Sequence, residues 1–318
     1  MGATTNEIFG TTPASELATP GSYGERPSAY RLPDATQLGR VRLQVSDLAR
    51  SLAFYEGTLG MRIVERHANE VLLAAHGDDR VLVELVERRG ARPAGRGRLG
   101  IFHFAILLPD RPALGRFVRH LAECGMQAGA GDHLVSEAFY LTDPDGLGIE
   151  VYADRPRSTW QRIGRELMIA TDPVDMRAIV DAAGGEPWTG MPAGTVIGHV
   201  HLHVGDLARG SAFFSDALGF DRITWRYPGA LFLGAGGYHH HLGTNTWAGP
   251  AARAPEQDDA RLLEWTIELP SAGDVAAAAE SIAGAGHPVE VVADGKLTRD
   301  PWGTVIRLRV AHDTEQSR

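Results

Sequence analysis

Residues 38–65 read LGRVRLQVSDLARSLAFYEGTLGMRIVE, and residues 197–224 read IGHVHLHVGDLARGSAFFSDALGFDRIT. The two stretches align without a gap. Each opens with an alternating strand pattern and reaches an Asp at a helix N-cap position, Asp47 or Asp206. An apolar-periodic helix follows, closing on a Leu-Gly pair at Gly60 or Gly219, and a second strand comes after. Such internal self-similarity marks a duplicated structural unit and decides the architecture.

A weaker repeat lies inside each half. GIFHFAILLPDR, from Gly100, resembles LLEWTIELPSAG, from Leu262; both are strands that end in a Pro and lead into a helix. DPDGLGIEV, from Asp143, and DPWGTVIRL, from Asp300, are both turn-then-strand patterns. The chain therefore reads as four β-α-β-β-β modules, at about 38–88, 99–153, 197–245 and 260–311. The expected class is α+β, with half-barrel sheets. The expected organisation is an extended N-terminal arm (1–37), a first domain of two modules (38–153), a connector (154–196) with a short helix around 173–183, a second domain of two modules (197–312) and a tail (313–318).

Composition narrows the function. At 318 residues the chain is too long for one small domain, and with 43% hydrophobic and 22% charged residues it is globular rather than disordered. Lys and Arg number 31 against 40 Asp and Glu, a net charge of −9. That argues against nucleic acid or an anionic membrane as the main partner, because both need clustered positive charge. One cysteine, Cys124, excludes an intrachain disulfide and Cys₄ metal sites, and fits a reducing compartment. Residues 1–37 lack the basic start and long apolar stretch of a signal peptide, so the expected location is the cytoplasm. No apolar run is long enough to span a bilayer. Homo-oligomerisation is left open.

Side-chain faces follow from the strand period of two. In the third module's first strand, Val200, Leu202 and Val204 share one face, and His199, His201 and His203 share the other. The corresponding faces carry Arg40, Arg42 and Gln44 in the first module and Glu264, Thr266 and Glu268 in the fourth. Each sheet is thus expected to pack helices on one side and to line a polar cavity, a place for a ligand, with the other.

The most specific chemistry is in residues 131–150, GDHLVSEAFYLTDPDGLGIE. His133, Tyr140 and Glu150 stand out. Asp143, Pro144, Asp145 and Gly146 form a turn that folds two strands together, so Tyr140 and Glu150 can reach one cavity. His103 lies on the same module's first strand, close enough in a small sheet to share a metal ion with Glu150. Taken singly, each has a plainer reading: a strand His as a satisfied polar residue, Tyr140 as core packing with its hydroxyl satisfied.

These motifs resemble the vicinal oxygen chelate superfamily, which includes glyoxalase I, antibiotic-resistance proteins and the extradiol ring-cleaving dioxygenases. Gly131 to Glu150 matches the extradiol pattern G-x-H, spacer, F-Y, D-P-x-G, E. The resemblance covers about 40–312. HFAILLPDR (103–111), YADRPRSTWQR (152–162) and GYHHHLGTNTW (237–247) resemble the bacterial catechol 2,3-dioxygenases of two-half type.

The family places its metal ligands on the first and last strands of modules. Here those positions hold Arg40; His103 and Glu150; His199; and Glu264 and Arg307. The resemblance therefore implies one site, formed by His103, Glu150 and His199 between modules two and three. The other pair of modules becomes a pseudo-site with Arg–Glu ion pairs. Two His and one carboxylate with open positions is the facial triad of non-haem Fe(II) oxygenases, although the set suits Mn(II) as well. The implied partners are a small aromatic diol and O₂, and the implied reaction is meta-cleavage to a hydroxymuconic semialdehyde, as in aromatic catabolism. His240 is the expected acid/base, on the reading that strand alternation turns it, rather than His239 and His241, toward the cavity. Tyr140 would hydrogen-bond the substrate, and His133 would orient substrate or bound oxygen. Two other functions fit the fold: a metal-dependent glyoxalase-type isomerase or thiol transferase, and a non-enzymatic aromatic-drug-binding protein. The first wants a fourth, carboxylate ligand that His239–His241 do not supply.

Overall fold

The computed structural model describes residues 2–11 and 13–311, so the expected tail at 313–318 lies outside the described residues. Four modules follow in order. The first is β1 (Gln37–Val45), α1 (Leu48–Gly57), β2 (Arg62–Arg66), β3 (Glu70–Ala74) and β4 (Val81–Glu87). The second is β5 (Gly100–Leu107), α2 (Arg111–Glu123), β6 (Gly129–Asp132), β7 (Ser136–Thr142) and β8 (Gly148–Asp154). The third is β9 (Val196–His203), α3 (Leu207–Ser211), β10 (Asp221–Thr224), β11 (Ala230–Gly234) and β12 (Leu242–Asn245). The fourth is β13 (Arg261–Leu269), α4 (Ala272–Gly284), β14 (Val289–Val292), β15 (Gly295–Arg299) and β16 (Val305–Val310).

Local chemistry sets these boundaries. Asp47, Asp110, Asp206 and Ser271 each accept a hydrogen bond from the backbone N–H three residues on, which satisfies an otherwise orphaned donor of the first helical turn. After α1 and the third module's helix the chain reverses at Gly60 (φ 74°) and Gly219 (φ 102°), a conformation that penalises a side chain. The third helix departs from its counterpart: α3 runs into a π-helical turn over Ala212–Ala217.

Strand pairing crosses the halves of the chain. One eight-stranded sheet has the order β10-β11-β12-β9-β5-β8-β7-β6, joining module three to module two through the antiparallel pair β9–β5. The other has the order β14-β15-β16-β13-β1-β4-β3-β2, joining module four to module one through β13–β1. The sheet-forming units are therefore modules two with three and one with four, whereas the division at 38–153 and 197–312 pairs one with two and three with four. Local pattern does not say which module edges meet.

The apolar faces merge into one core. Val41, Leu43, Trp265 and Ile267 of one sheet and Phe104, Ile106, Val200 and Leu202 of the other are fully buried in it. Burying each such side chain stabilises the fold by roughly 1.5–3 kcal/mol. The connector carries a helix at Met176–Ala182 and a short strand, Gln161–Ile163, that pairs with Glu16–Leu17 of the N-terminal arm. The arm is not wholly extended: Thr5–Phe9 is a helix with a capping box between Thr4 and Glu7. The arm is tied to the first sheet's side, with the Ala3 N–H donating to the Tyr227 hydroxyl (2.8 Å) and Thr5 bonding Asp172.

Candidate metal centre

One transverse row of residues builds the centre. Tyr140 of β7 pairs with Glu150 of β8, Glu150 with Ala105 of β5, and Ala105 with His199 of β9. Cross-strand partners point to the same face, so Glu150 and His199 flank Ala105, whose methyl is too short to separate them. His103, two residues from Ala105 on β5, reaches the same spot. Nε2 of His103 lies 3.0 Å from Oε2 of Glu150, and Nε2 of His199 lies 3.3 Å from that oxygen. One ligand atom from each of the three residues falls within 4.8 Å of the others, and all three residues are buried.

Their chemistry suits a cation. Nδ1 of His199 and Nε2 of His201 are buried with no hydrogen-bond partner, a costly arrangement unless something else engages them. Burial alone would raise the Glu150 carboxyl, but His199 and His103 hold it well below the ordinary range. Burial lowers the His199 imidazole to about 4, against the pull of Glu150. Ionised Glu and neutral His are the forms that ligate a metal. These residues fit a single divalent ion with open coordination positions.

Tyr140 and His133 work as a unit. Nδ1 of His133 donates to the Ala170 carbonyl at 2.6 Å, so its Nε2 accepts the proton of the Tyr140 hydroxyl. Both ring nitrogens of His133 are engaged by protein groups, the Ala170 carbonyl and the Tyr140 hydroxyl. Burial and the charge of Glu150 push the Tyr140 hydroxyl well above the ordinary tyrosine range, so it stays protonated.

His239, His240 and His241 lie in the loop before β12, so strand alternation does not apply, and all three are buried. The His240 ring is 4.1 Å from that of His199. Its Nδ1 is 2.7 Å from Nδ1 of His239, and Nε2 of His239 is 2.8 Å from Oδ1 of Asp154. Asp154 escaped the sequence reading, although its placement has a legible signal: it lies four residues beyond Glu150 on the same strand face of β8. His201 packs among His103, Phe102, Phe232 and Trp247, while His203 bonds Asn245 at 2.6 Å.

The equivalent position in the other sheet is filled with ion pairs. Arg40 and Arg42 both reach Glu84 (3.0 and 2.5 Å), Arg307 grips Glu264 (2.6 Å), and Arg309 and Arg80 hold Glu268. Every carboxylate there already faces a guanidinium. Among the described residues, His103, Glu150 and His199 form the one cluster with metal-ligand spacing.

Residues 37–151 and 196–313 match the model of the Glyoxalase/Bleomycin resistance protein/Dioxygenase superfamily. The chain belongs to this superfamily. Within it, a protein of Bacillus subtilis (strain 168) named catechol-2,3-dioxygenase is 44% identical over 271 residues, covering 84% of this chain and 94% of that protein. The superfamily fold recurs in a solved structure of another protein from Bacillus subtilis subsp. subtilis str. 168, with TM-score 0.60 and 12% identity over 89% of this chain and 86% of that one. It recurs also in glyoxalase I from Zea mays, with TM-score 0.51 and 18% identity over 87% and 92%. At such identities the two structures speak to fold alone. Among the described residues no helix is long and apolar enough to cross a membrane.

Proposed function

We propose that the protein is an extradiol dioxygenase that uses Fe(II) and O₂ to open a catechol beside its hydroxyl pair, giving a hydroxymuconic semialdehyde. The observation that carries this reading is the convergence of His103, Glu150 and His199 beside a buried imidazole, His240. The name of the 44% identical relative supports it. His103, Glu150 and His199 would hold the ion. When bound, Fe(II) supplies a Lewis acid for the catechol oxygens and the redox chemistry of dioxygen.

The chain's own groups position substrate and move protons. An ionised carboxylate only accepts hydrogen bonds, so Asp154 fixes the proton of His239 on Nε2. Nδ1 of His239 then accepts from Nδ1 of His240, and Nε2 of His240 is left with a free lone pair. Burial, then the neighbouring imidazoles of His199 and His239, keep His240 well below the ordinary histidine range. A neutral imidazole with a bare Nε2 is ready to take the proton of a catechol hydroxyl and to return one later. The Tyr140 oxygen, its O–H donating to Nε2 of His133, offers lone pairs to the second hydroxyl. Phe102 and Trp247, 5.6 Å apart at their ring centroids, supply aromatic faces against which a ring can lie. A reducing cytoplasm, where ferrous iron persists, suits such an enzyme.

Oxygen uptake by protein reconstituted anaerobically with Fe(II), then mixed with catechol, tests the reading. Consumption of O₂ with a yellow product is expected. Iron-loaded protein that consumes no O₂ with catechol or its alkyl derivatives would overturn it.

A further inference from the structure

A cavity of about 900 Å³ opens beside the metal centre. His103, Phe102 and Tyr140 reach it from the first sheet. Arg261 of β13 and Arg299 of β15 reach it from the second, and Arg96 stands at its rim. Five arginines line this space against two acids, in a chain whose net charge is −9.

The acids are already taken. Asp259 is held by Arg92 and Arg98, and Glu264 by Arg307. Arg42 is likewise committed to Glu70 and Glu84. Arg261 differs. Among the described residues it makes no ion pair within 4.0 Å, and its Nε is buried with no hydrogen-bond partner. Burial and the neighbouring charges of Arg88 and Arg299 disfavour its cationic form, with only Asp259 opposing them. A half-buried guanidinium that faces other cations and lacks an acceptor is a site short of an anion. The cavity also has apolar lining from Ile101, Leu262 and Leu297, which suits a short methylene chain.

We propose that Arg261, with Arg299 beside it, binds the carboxylate of a catechol bearing an acidic side chain, whose ring lies toward His103 and Tyr140. The inference rests on the catechol-cleaving reading above and narrows its substrate class. A planar guanidinium can grip a carboxylate through two parallel hydrogen bonds, and the positive wall also draws anionic substrate into the cavity.

The test is anaerobic calorimetry on the Fe(II)-loaded protein. Catechols carrying a carboxylate at the end of a one-, two- or three-carbon tail are compared with their neutral methyl esters. At the tail length that spans the cavity, the acid binds at least about tenfold tighter than its ester. That ratio falls toward one in R261Q, is partly kept in R261K, drops in R299Q, and shrinks as salt is raised. Melting curves of the variants report whether they fold. Acid and ester binding alike at every length, or an acid preference untouched in a folded R261Q, would overturn the assignment. Turnover of the same compounds separates the two claims. Acid preference in binding without cleavage of any catechol removes the dioxygenase reading and leaves the anion site. Equal cleavage of acids and esters, with equal binding, does the reverse.

Discussion

Asp154 accepts a hydrogen bond from Nε2 of His239 at 2.8 Å, on the same face of β8 that presents Glu150 to the metal centre. One strand thus carries both a candidate metal ligand and a carboxylate bonded to the His239–His240 pair. Replacing Asp154 with Asn removes the obligatory acceptor and lets His239 flip. D154N is expected to lower kcat by about 10- to 100-fold while metal content stays at the wild-type level. H240A, which removes the proton acceptor itself, is expected to lose on the order of 10²–10⁴ in kcat, again with metal retained. Metal analysis beside steady-state kinetics checks both.

Ala105 sits between Glu150 and His199 and is fully buried. Its small size is a condition for the two ligands to meet. A105L places a branched side chain where the ion would go. The variant is expected to fold, because its neighbours Ala138 and Tyr152 belong to a small separate cluster, yet to bind no metal. Metal analysis and a melting curve together decide this. Full metal loading in A105L would show that the three ligands do not close over Ala105.

The fold was legible in the repeat of 38–65 and 197–224, because each module carries its own N-cap, helix period and Gly stop. Which modules share a sheet was not legible in those local signals, since β9 meets β5, and β13 meets β1, through edges any module presents. That His103, Glu150 and His199 lie together was legible through the resemblance, because two stand at matching positions of first strands and the third on a last strand. The role of Asp154 could not be read, because its partner His239 is 85 residues away in a loop that follows no period. Arg261 was hidden for a similar reason: its isolation is visible only once every neighbouring acid has been matched to another arginine.

The second sheet offers a structural control. Glu264 is gripped by both Nε and Nη2 of Arg307, at 2.6 and 2.9 Å. R307A strands a mostly buried carboxylate, so it is expected to destabilise the protein, on the order of 3 kcal/mol by denaturant titration. Metal content of the folded fraction should not change.

Burial pushes the Asp143 carboxyl up to about 6, against the pull of N–H donors from Leu147 and Asp145. The folded chain then holds a proton between pH 3.8 and about 6 that the unfolded chain has already released. Folding stability from this group therefore falls as pH rises through that window, by on the order of 3 kcal/mol, and levels off above it. Asn at this position keeps an acceptor oxygen for both N–H groups but cannot ionise. Relative to wild type, D143N should gain stability between pH 5 and pH 7.5 in urea titrations. A wild-type-to-variant difference that is constant over this range would show that Asp143 does not titrate there.

The most direct test of the central claim is metal stoichiometry by mass spectrometry of elements, on protein loaded with Fe(II) under anaerobic conditions and desalted. The wild type and R307A are expected to retain one ion per chain, while H103A, E150A and H199A retain none despite wild-type circular dichroism. One ion retained in folded E150A, or lost from folded R307A, would contradict a centre built by modules two and three.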